Sequence, residues 1–413
     1  MTDTYESALE FLFPRTTTIK FGLDTTEALL AALGQPQQFY PVIHIGGTNG
    51  KGSVCTLIAS ALEARGLRVG LYTSPHLVSF RERIRVDGVP ISEMAVSAWT
   101  AKLKPLIESS NATFFEVTTA IALADFAARE VDIAVIEVGL GGRLDSTNVL
   151  TPVVSGVTHI ALDHQKYLGD TLELIAAEKA GIAKPGVPFV IGEPDPVLAD
   201  VLKSAGADVV RRREPAGKFL PVVVPSEARW NGPLGLKGPH QRRNAAIAAA
   251  VLAELPATLR PSNEDTAAGF GSARLPGRLD RRGRWLFDVA HNPDGMAALV
   301  SALEAAPPEG PVHALVSILG DKAWPEMLVA LDTVVDLGVL TVAPSADTRR
   351  WDLGWLERWL ADPARPRARS RWRLVPDFHE ALRVVEAGAG TVLVTGSFHT
   401  VGDVLEARGL SSV

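Results

Sequence analysis

A single cysteine in 413 residues, Cys55, excludes an internal disulfide and any cysteine-built metal site, and it fits a reducing compartment. No stretch approaches the roughly 18 uninterrupted apolar residues that a membrane helix requires. The opening MTDTYESALEFLFPR has no basic start followed by an apolar run of signal length, so a cytoplasmic protein without membrane attachment is expected. Positive charge is also lacking. A formal net charge of -6 and a pI near 5.9 leave the molecule without the field that draws proteins to nucleic acid or anionic lipid. The arginine- and proline-rich run DPARPRARSR at 362–371 lacks interleaved aromatics and reads as a solvated surface loop rather than a nucleic-acid contact.

What is present is ordinary globular material, 46% hydrophobic and 21% charged, which leaves little room for disorder. The length exceeds what one core normally organises, so two domains are expected. Short β-branched runs alternate with Ala/Leu-rich helical stretches, the rhythm of parallel strands joined by helices. Strands are predicted at Val42–Ile45, Val69–Tyr72, Ile133–Val138, Val153–Ile160 and Phe189–Ile191, with crossover helices such as Val54–Arg65 and Thr118–Arg129. A second α/β series follows at Trp285–Val289, Val312–Ile318, Val339–Ala343 and Val392–Thr395. The Gly/Pro-punctuated, basic stretch Gly271–Gly283 suits a linker, giving domains at 1–279 and 280–413. No internal repeat of solenoid period is visible.

The strongest local signal is VIHIGGTNGKGS at 42–53, an apolar strand running into a glycine-rich turn and a helix. Gly46, Gly47, Gly50 and Gly52 let the backbone bend and aim N–H groups inward, and the helix start adds its positive end. Thr48 and Asn49 lie in the same bend. Lys51 reaches terminal phosphates in such a loop, and Ser53 offers a hydroxyl to Mg²⁺. Relative to the strict phosphate-loop pattern, Ile45 replaces the first glycine and the hydroxyl comes two residues after the lysine, so a compressed variant is implied.

Ligands of an open parallel sheet sit beyond the carboxyl ends of its strands. Glu137 ends one apolar run and precedes GLGGRLDSTN, which carries Arg143 and Asp145; Asp163 and His164 follow another. A carboxylate there demands a partner or a metal. Ser53, Glu137 and His164 suffice for an ATP-bound Mg²⁺ that keeps phosphate oxygens and waters. IAAEKAGIAKPG adds Glu178 and Lys179, and the residues alone do not favour Lys179 over Lys184.

Together these motifs resemble the folylpolyglutamate synthase/dihydrofolate synthase family of the Mur ligase superfamily. The likeness rests on GTNGKGS at 47–53, LYTSPHL at 71–77, IEVGLGGRLDSTN at 136–148, ALDHQKYLG at 161–169, AAEKAGI at 176–182, HQRRNAA at 240–246, PGR at 276–278, FDVAHNPDG at 287–295, LGDK at 319–322 and TGSFHT at 395–400. It implies a P-loop-type, mostly parallel N-terminal domain and a smaller Rossmann-like α/β C-terminal domain. It further implies that Gly50, Lys51, Gly52 and Ser53 hold ATP and that Ser74, Glu137 and His164 hold Mg²⁺. Lys179 is implied to be carbamylated to N6-carboxylysine, a carboxylate-like group beside the metal. Asn244, Arg278 and Asp288 are implied on the adenine and ribose side, with His291 close by.

Substrate contacts implied by the same likeness are Phe13, Pro14, Arg15, Phe115, Glu116 and Thr118 for the pterin and benzoate, with Arg143, Lys322, Ser397 and His399 beyond them. The implied reaction belongs to folate biosynthesis and one-carbon metabolism. ATP phosphorylates a folate γ-carboxylate or the benzoate carboxylate of dihydropteroate, and the amine of L-glutamate displaces phosphate, with domain closure excluding water. A monomer is the expectation. The rival within the ligases is a Mur enzyme acting on a cell-wall precursor, disfavoured because only about forty residues precede the loop. A P-loop kinase or regulatory NTPase leaves the second α/β series unexplained, and a non-catalytic binder leaves the lysine, serine, glutamate and histidine set unexplained.

Overall fold

The computed structural model describes residues 4–17, 20–362 and 371–412; most of the basic run at 362–371 lies outside them. The chain forms two compact units. The first comprises Met1–Ser74, Phe80–Gly235 and Arg242–Ala273, and the second comprises Pro75–Ser79, Leu236–Gln241 and Arg274–Val413.

The first unit holds an eight-stranded sheet of β1 (Val42–Gly46), β2 (Val69–Tyr72), β3 (Ile84–Val86), β4 (Val89–Pro90), β5 (Ile133–Glu137), β6 (Val154–Val157), β7 (Pro188–Ile191) and β8 (Leu220–Val223). Their order is β4-β3-β2-β5-β1-β6-β7-β8, parallel except where β3 meets β2 and β4. β1 is buried along its whole length, as a strand covered on both faces must be. Its register sets Ile45 opposite Glu137 on one side and Gly46 opposite Val157 on the other. Parallel strands put all these carboxyl ends at one edge.

The second unit carries β9 (Asp280–Arg282), β10 (Trp285–Phe287), β11 (Val312–Val316), β12 (Leu337–Leu340), β13 (Arg371–Leu374) and β14 (Thr391–Thr395). The order is β13-β12-β11-β14-β10-β9, with only β9 antiparallel. Leu77 joins the apolar cluster of Phe287, Val289 and Val401. A methyl on Gly402 would collide with the Leu77 carbonyl, so glycine is required there.

Four expectations change. The strand predicted over 153–160 stops at Val157, because the Thr158 amide turns to the Gly46 carbonyl (3.0 Å) and residues 158–161 follow the glycine loop instead. The strand predicted at 339–343 is Leu337–Leu340, since the Ala343 amide leaves the ladder for the Ser317 hydroxyl. The expected linker at 271–283 contains β9, folded back on β10 through Gly283 at φ +60°. The helix predicted over 118–129 runs Phe114–Ala128, because Thr113 caps it and Glu116 reciprocates, a capping box legible as TFFE.

Candidate active site

The glycine loop is held by its neighbours from three directions. Thr48 donates its amide to the His159 carbonyl (2.7 Å) and its hydroxyl to the Ala161 carbonyl (3.2 Å). The Thr158 hydroxyl donates to the Asn49 carbonyl (2.7 Å). Gly47 sits at φ +135° with Thr158 Oγ1 where a Cβ would stand, and Gly50 at φ +90° with Asn244 Oδ1 only 2.6 Å from that position. Glycine is thus demanded by backbone angle and by crowding together. The helix Lys51–Ala64 starts at Gly50 with no side-chain cap, the arrangement in which its first amides and dipole serve an anion.

Two lysines lie on this loop. Lys51 Nζ donates to the Thr48 carbonyl (2.9 Å), and Lys179 Nζ donates to the Gly47 carbonyl (2.9 Å). Lys179 is buried, and burial first, then the positive charge of Lys51, brings its amine down to about 7, against the opposing pull of Asp163, Asp145 and Glu178. Lys184 is lowered to a similar value by burial and Arg213, but it donates to the Asn148 carbonyl (2.7 Å). The structure therefore separates two lysines that the residue types leave equivalent.

Gly142 and Gly181 let GLGGRLDSTN lie flat on AAEKAGI: a methyl on Gly142 would come 2.8 Å from the Lys179 carbonyl, and one on Gly181 would enter Arg143. Arg143, exposed, pairs with Glu178 at 3.1 Å. Asp145 is buried and accepts the amides of Leu140 (2.8 Å) and Thr147 (3.0 Å) and the Thr147 hydroxyl. Thr147 in turn meets His44 Nε2 at 2.8 Å, and complete burial followed by the charge of Lys184 drives that imidazole down to about 3.

Of the implied metal ligands, Glu137 is buried at the end of β5 and accepts the Ser74 amide at 3.0 Å, which brings these two together. His164 follows β6 at φ +52°, its Nε2 3.9 Å from Asp163. Ser53 is buried in the first turn of the loop helix. Among the described residues no three His, Cys, Asp or Glu side chains form a group able to hold a metal. The donor set of one carboxylate, hydroxyls and an imidazole fits a hard cation that takes few protein ligands and keeps substrate oxygens and waters.

Phe13 is exposed, its ring 5.9 Å from Phe114. Arg15 donates to the Ala112 carbonyl (3.4 Å) and lies 4.6 Å from the Phe11 ring centre. Phe115 packs on Gly139 and stands 6.0 Å from Tyr72. Glu116 and Thr118 are committed to their own helix, the first to the Thr113 amide (2.7 Å) and the second to the Phe114 carbonyl (2.7 Å).

Asn244 belongs to the first unit, whereas Arg278, Asp288 and His291 belong to the second. Asp288, buried at the end of β10, accepts the amides of Leu279 (2.9 Å) and Ala290 (3.0 Å). Burial raises its carboxyl, opposed chiefly by Arg278, whose guanidinium lies over the Phe398 ring at 5.0 Å. His291 Nδ1 is 2.9 Å from the Val289 carbonyl. Lys322 lies in the turn after β11, Ser397 caps the helix Phe398–Ala407, and His399 meets the Ser345 hydroxyl at 2.9 Å.

Sequence reasoning overlooked Arg83, Glu193 and His159. Arg83 is a guanidinium whose pKa burial lowers, opposed first by Tyr72 and then by Glu137, and nothing in its local sequence signals this. Glu193 lies two residues past the end of β7, so the strand-end rule that picked out Glu137 and Asp163 also reaches it.

Known proteins resemble the chain over nearly its whole length. The model of the Mur ligase middle domain matches residues 45–218, and that of the Mur ligase glutamate ligase domain matches residues 277–398. The dihydrofolate synthase/folylpolyglutamate synthase of Escherichia coli is 36% identical over 406 residues, 94% of this chain and 92% of that protein. A structure of E. coli FolC in complex with DHPP and ADP superposes with a TM-score of 0.84 at 34% identity, covering 99% of this chain and 98% of the other. A bifunctional folylpolyglutamate synthase/dihydrofolate synthase with Mn, AMPPNP and L-glutamate bound gives 0.83 at 31% identity, with 99% of both chains covered. The chain belongs to the folylpolyglutamate synthase/dihydrofolate synthase family of Mur ligases.

Proposed function

We propose that the protein is an ATP-dependent ligase that adds L-glutamate to folates and to dihydropteroate through an acyl phosphate. One observation carries this reading: an uncapped helix start and two lysines, Lys51 and Lys179, converge on a single glycine loop at the carboxyl edge of a parallel sheet, beside a buried Glu137. Joining two carboxylate-bearing molecules through a phosphate demands neutralisation of anions and in-line placement more than covalent chemistry.

Thr48, Asn49 and Gly50 supply the bend, Lys51 and the first helix amides receive the triphosphate, and Gly52 keeps the helix start open to it. Ser53, Ser74, Glu137 and His164 hold Mg²⁺, which when bound screens the charge between phosphate and attacking carboxylate. Lys179 is carboxylated in the working enzyme. Carbamate formation requires the neutral amine, and burial next to Lys51 makes that form abundant near neutral pH. Phe13, Arg15 and Phe115 contribute the aromatic and cationic wall for the folate, with Glu116 and Thr118 fixing the helix from which Phe115 projects. Cys55, a free buried thiol, supports a reducing, cytoplasmic setting.

The test supplies purified protein with ATP, Mg²⁺ and L-glutamate plus tetrahydrofolate, dihydropteroate or a UDP-muramyl precursor in turn, recording ADP release and product mass. ADP formation is expected with the two pteridines and not with the muramyl compound. Lys51→Ala should abolish it, and near-normal turnover by that variant would overturn the reading.

A further inference from the structure

We infer that His44 is a positioning residue for the pteridine substrate, acting through Thr147 and Asp145 on the turn that beds Phe115; the inference rests on the ligase reading and its placing of Phe115 in the folate wall. His44 is the only polar side chain in β1, set between Ile43 and Ile45, and it is fully buried. A strand covered on both faces is served by apolar side chains, and a buried polar one is costly unless its hydrogen bonds are replaced. Only one side of the ring is satisfied. Nε2 lies 2.8 Å from Thr147 Oγ1, while Nδ1 is buried with no partner among the described residues. An imidazole satisfied on one edge alone is a poor core residue, and what that edge holds explains its presence.

Counting protons fixes the direction of the bond. Thr147 has a single hydroxyl proton and donates it to Asp145, so its oxygen accepts from His44, which must carry its proton on Nε2. Asp145 also takes the Thr147 amide (3.0 Å) on one oxygen and the Leu140 amide (2.8 Å) on the other, and it is hydrogen-bonded to the Gly139 amide as well. Burial raises this carboxyl, and those bonds oppose the rise. Gly139 comes two residues after Glu137, and a methyl on it would run into the Phe115 ring. Each link from His44 to Phe115 is therefore a direct contact: imidazole to hydroxyl, hydroxyl to carboxylate, carboxylate to the amides of the turn, and turn to aromatic ring.

The glycine loop is fastened separately. Thr48 is held by the His159 and Ala161 carbonyls, and the Asn49 carbonyl by the Thr158 hydroxyl. The far end of the turn also has its own ties, from Lys184 to the Asn148 carbonyl and from Asn148 to the carbonyls of Arg143 and Gly181. Losing the His44 bond thus loosens the stretch that supports Phe115 and leaves the phosphate bend as it was. The expected signature is a weakened pteridine beside an unchanged nucleotide.

Nitrogen NMR of histidine-labelled wild type reads the tautomer, with His44 identified as a ring that stays neutral down to about pH 5. Turnover at saturating ATP, Mg²⁺ and L-glutamate reads KM for whichever of dihydropteroate and tetrahydrofolate is used, and calorimetry reads ADP affinity. The proton is expected on Nε2. His44→Leu, which fills the space without a donor, should raise KM for the pteridine about tenfold, the loss of one directed hydrogen bond, and leave ADP affinity within about twofold. His44→Gln, whose amide nitrogen superposes on Nε2, should return KM to within about threefold of wild type. A proton on Nδ1, an unchanged KM in His44→Leu, an ADP affinity that falls together with KM, or a glutamine variant no better than the leucine one would overturn the inference. The tautomer is read on wild type and decides the matter even where a variant does not fold. Folded wild type that turns over neither pteridine would instead sink the ligase reading.

Discussion

The two units are built by the same rule and loaded differently. Each has a mostly parallel sheet whose strands end at one edge, yet the first unit buries Glu137, Asp145, Asp163, Lys179, Lys184 and Glu193 on the segments that follow its strands. The second places there chiefly Asp288 and hydroxyls such as Ser317 and Ser397, and it ends β10 and β14 in side-chain-capped helices at Asn292 and Ser397. The first unit's key helix begins at a left-handed glycine with no such cap. A capped helix satisfies its own amides; an uncapped one beside buried lysines is arranged for an outside anion. The scaffold is shared, and the anion chemistry is concentrated in one copy.

The largest expected contrast is between two glycines. Gly47→Ala combines φ +135° with a methyl driven into Thr158, whereas Gly283→Ala sits at φ +60° with open space around it. Urea unfolding should show a loss of about 3 kcal/mol for the first and about 1 kcal/mol for the second, and only the first should abolish ADP binding. Equal losses would erase the distinction between a crowded functional bend and an ordinary hairpin turn.

Next come the buried lysines. Lys179 and Lys184 each carry a folded-state value of about 7 against 10.5 for an ordinary lysine. A base lowered in this way binds fewer protons folded than unfolded, so its burden on stability is full below about pH 7 and is relieved as pH rises toward 10.5. In CO2-free buffer, Lys179→Met and Lys184→Met should therefore gain most in melting temperature over wild type near pH 6, with the gain shrinking toward pH 10. Ligase activity should vanish only in Lys179→Met, the lysine on the Gly47 carbonyl.

The smallest effect belongs to the second unit. Asp288→Ala leaves the buried amides of Leu279 and Ala290 without their acceptor, a loss of about 2 kcal/mol. Six of the eight tryptophans lie in that unit, so their emission reports its unfolding during a urea titration. A shift below about 0.5 kcal/mol would mean that water replaces the carboxylate there.

Much of the first unit was legible in the chain. The run 42–53 announced strand, bend and helix together, and Glu137 and Asp163 were found because strand ends are where open sheets bind. The family resemblance supplied Ser74 and the preference for Lys179, which local sequence does not contain. What stayed hidden depends on contacts between distant segments. Nothing in VVSGVTHIAL says that the strand stops at Val157, because the competing acceptor is the carbonyl of Gly46, more than a hundred residues away. The basic, glycine-punctuated 271–283 looked like a linker because an edge strand such as β9 need bury little. His159 stayed hidden for the same reason: its partner Glu193 lies in the loop after another strand, β7.

The brief passage of Pro75–Ser79 into the second unit has a consequence for how the molecule can be divided. Since the backbone of Leu77 occupies the place a side chain on Gly402 would need, no contiguous stretch of codons encodes a complete second half. A fragment starting at Arg274 would have a notch in its apolar interior, and one ending at Ala273 would carry the missing plug to no purpose. Shuffling the halves between relatives would therefore have to move Pro75–Ser79 and Leu236–Gln241 together with the part from Arg274 onward.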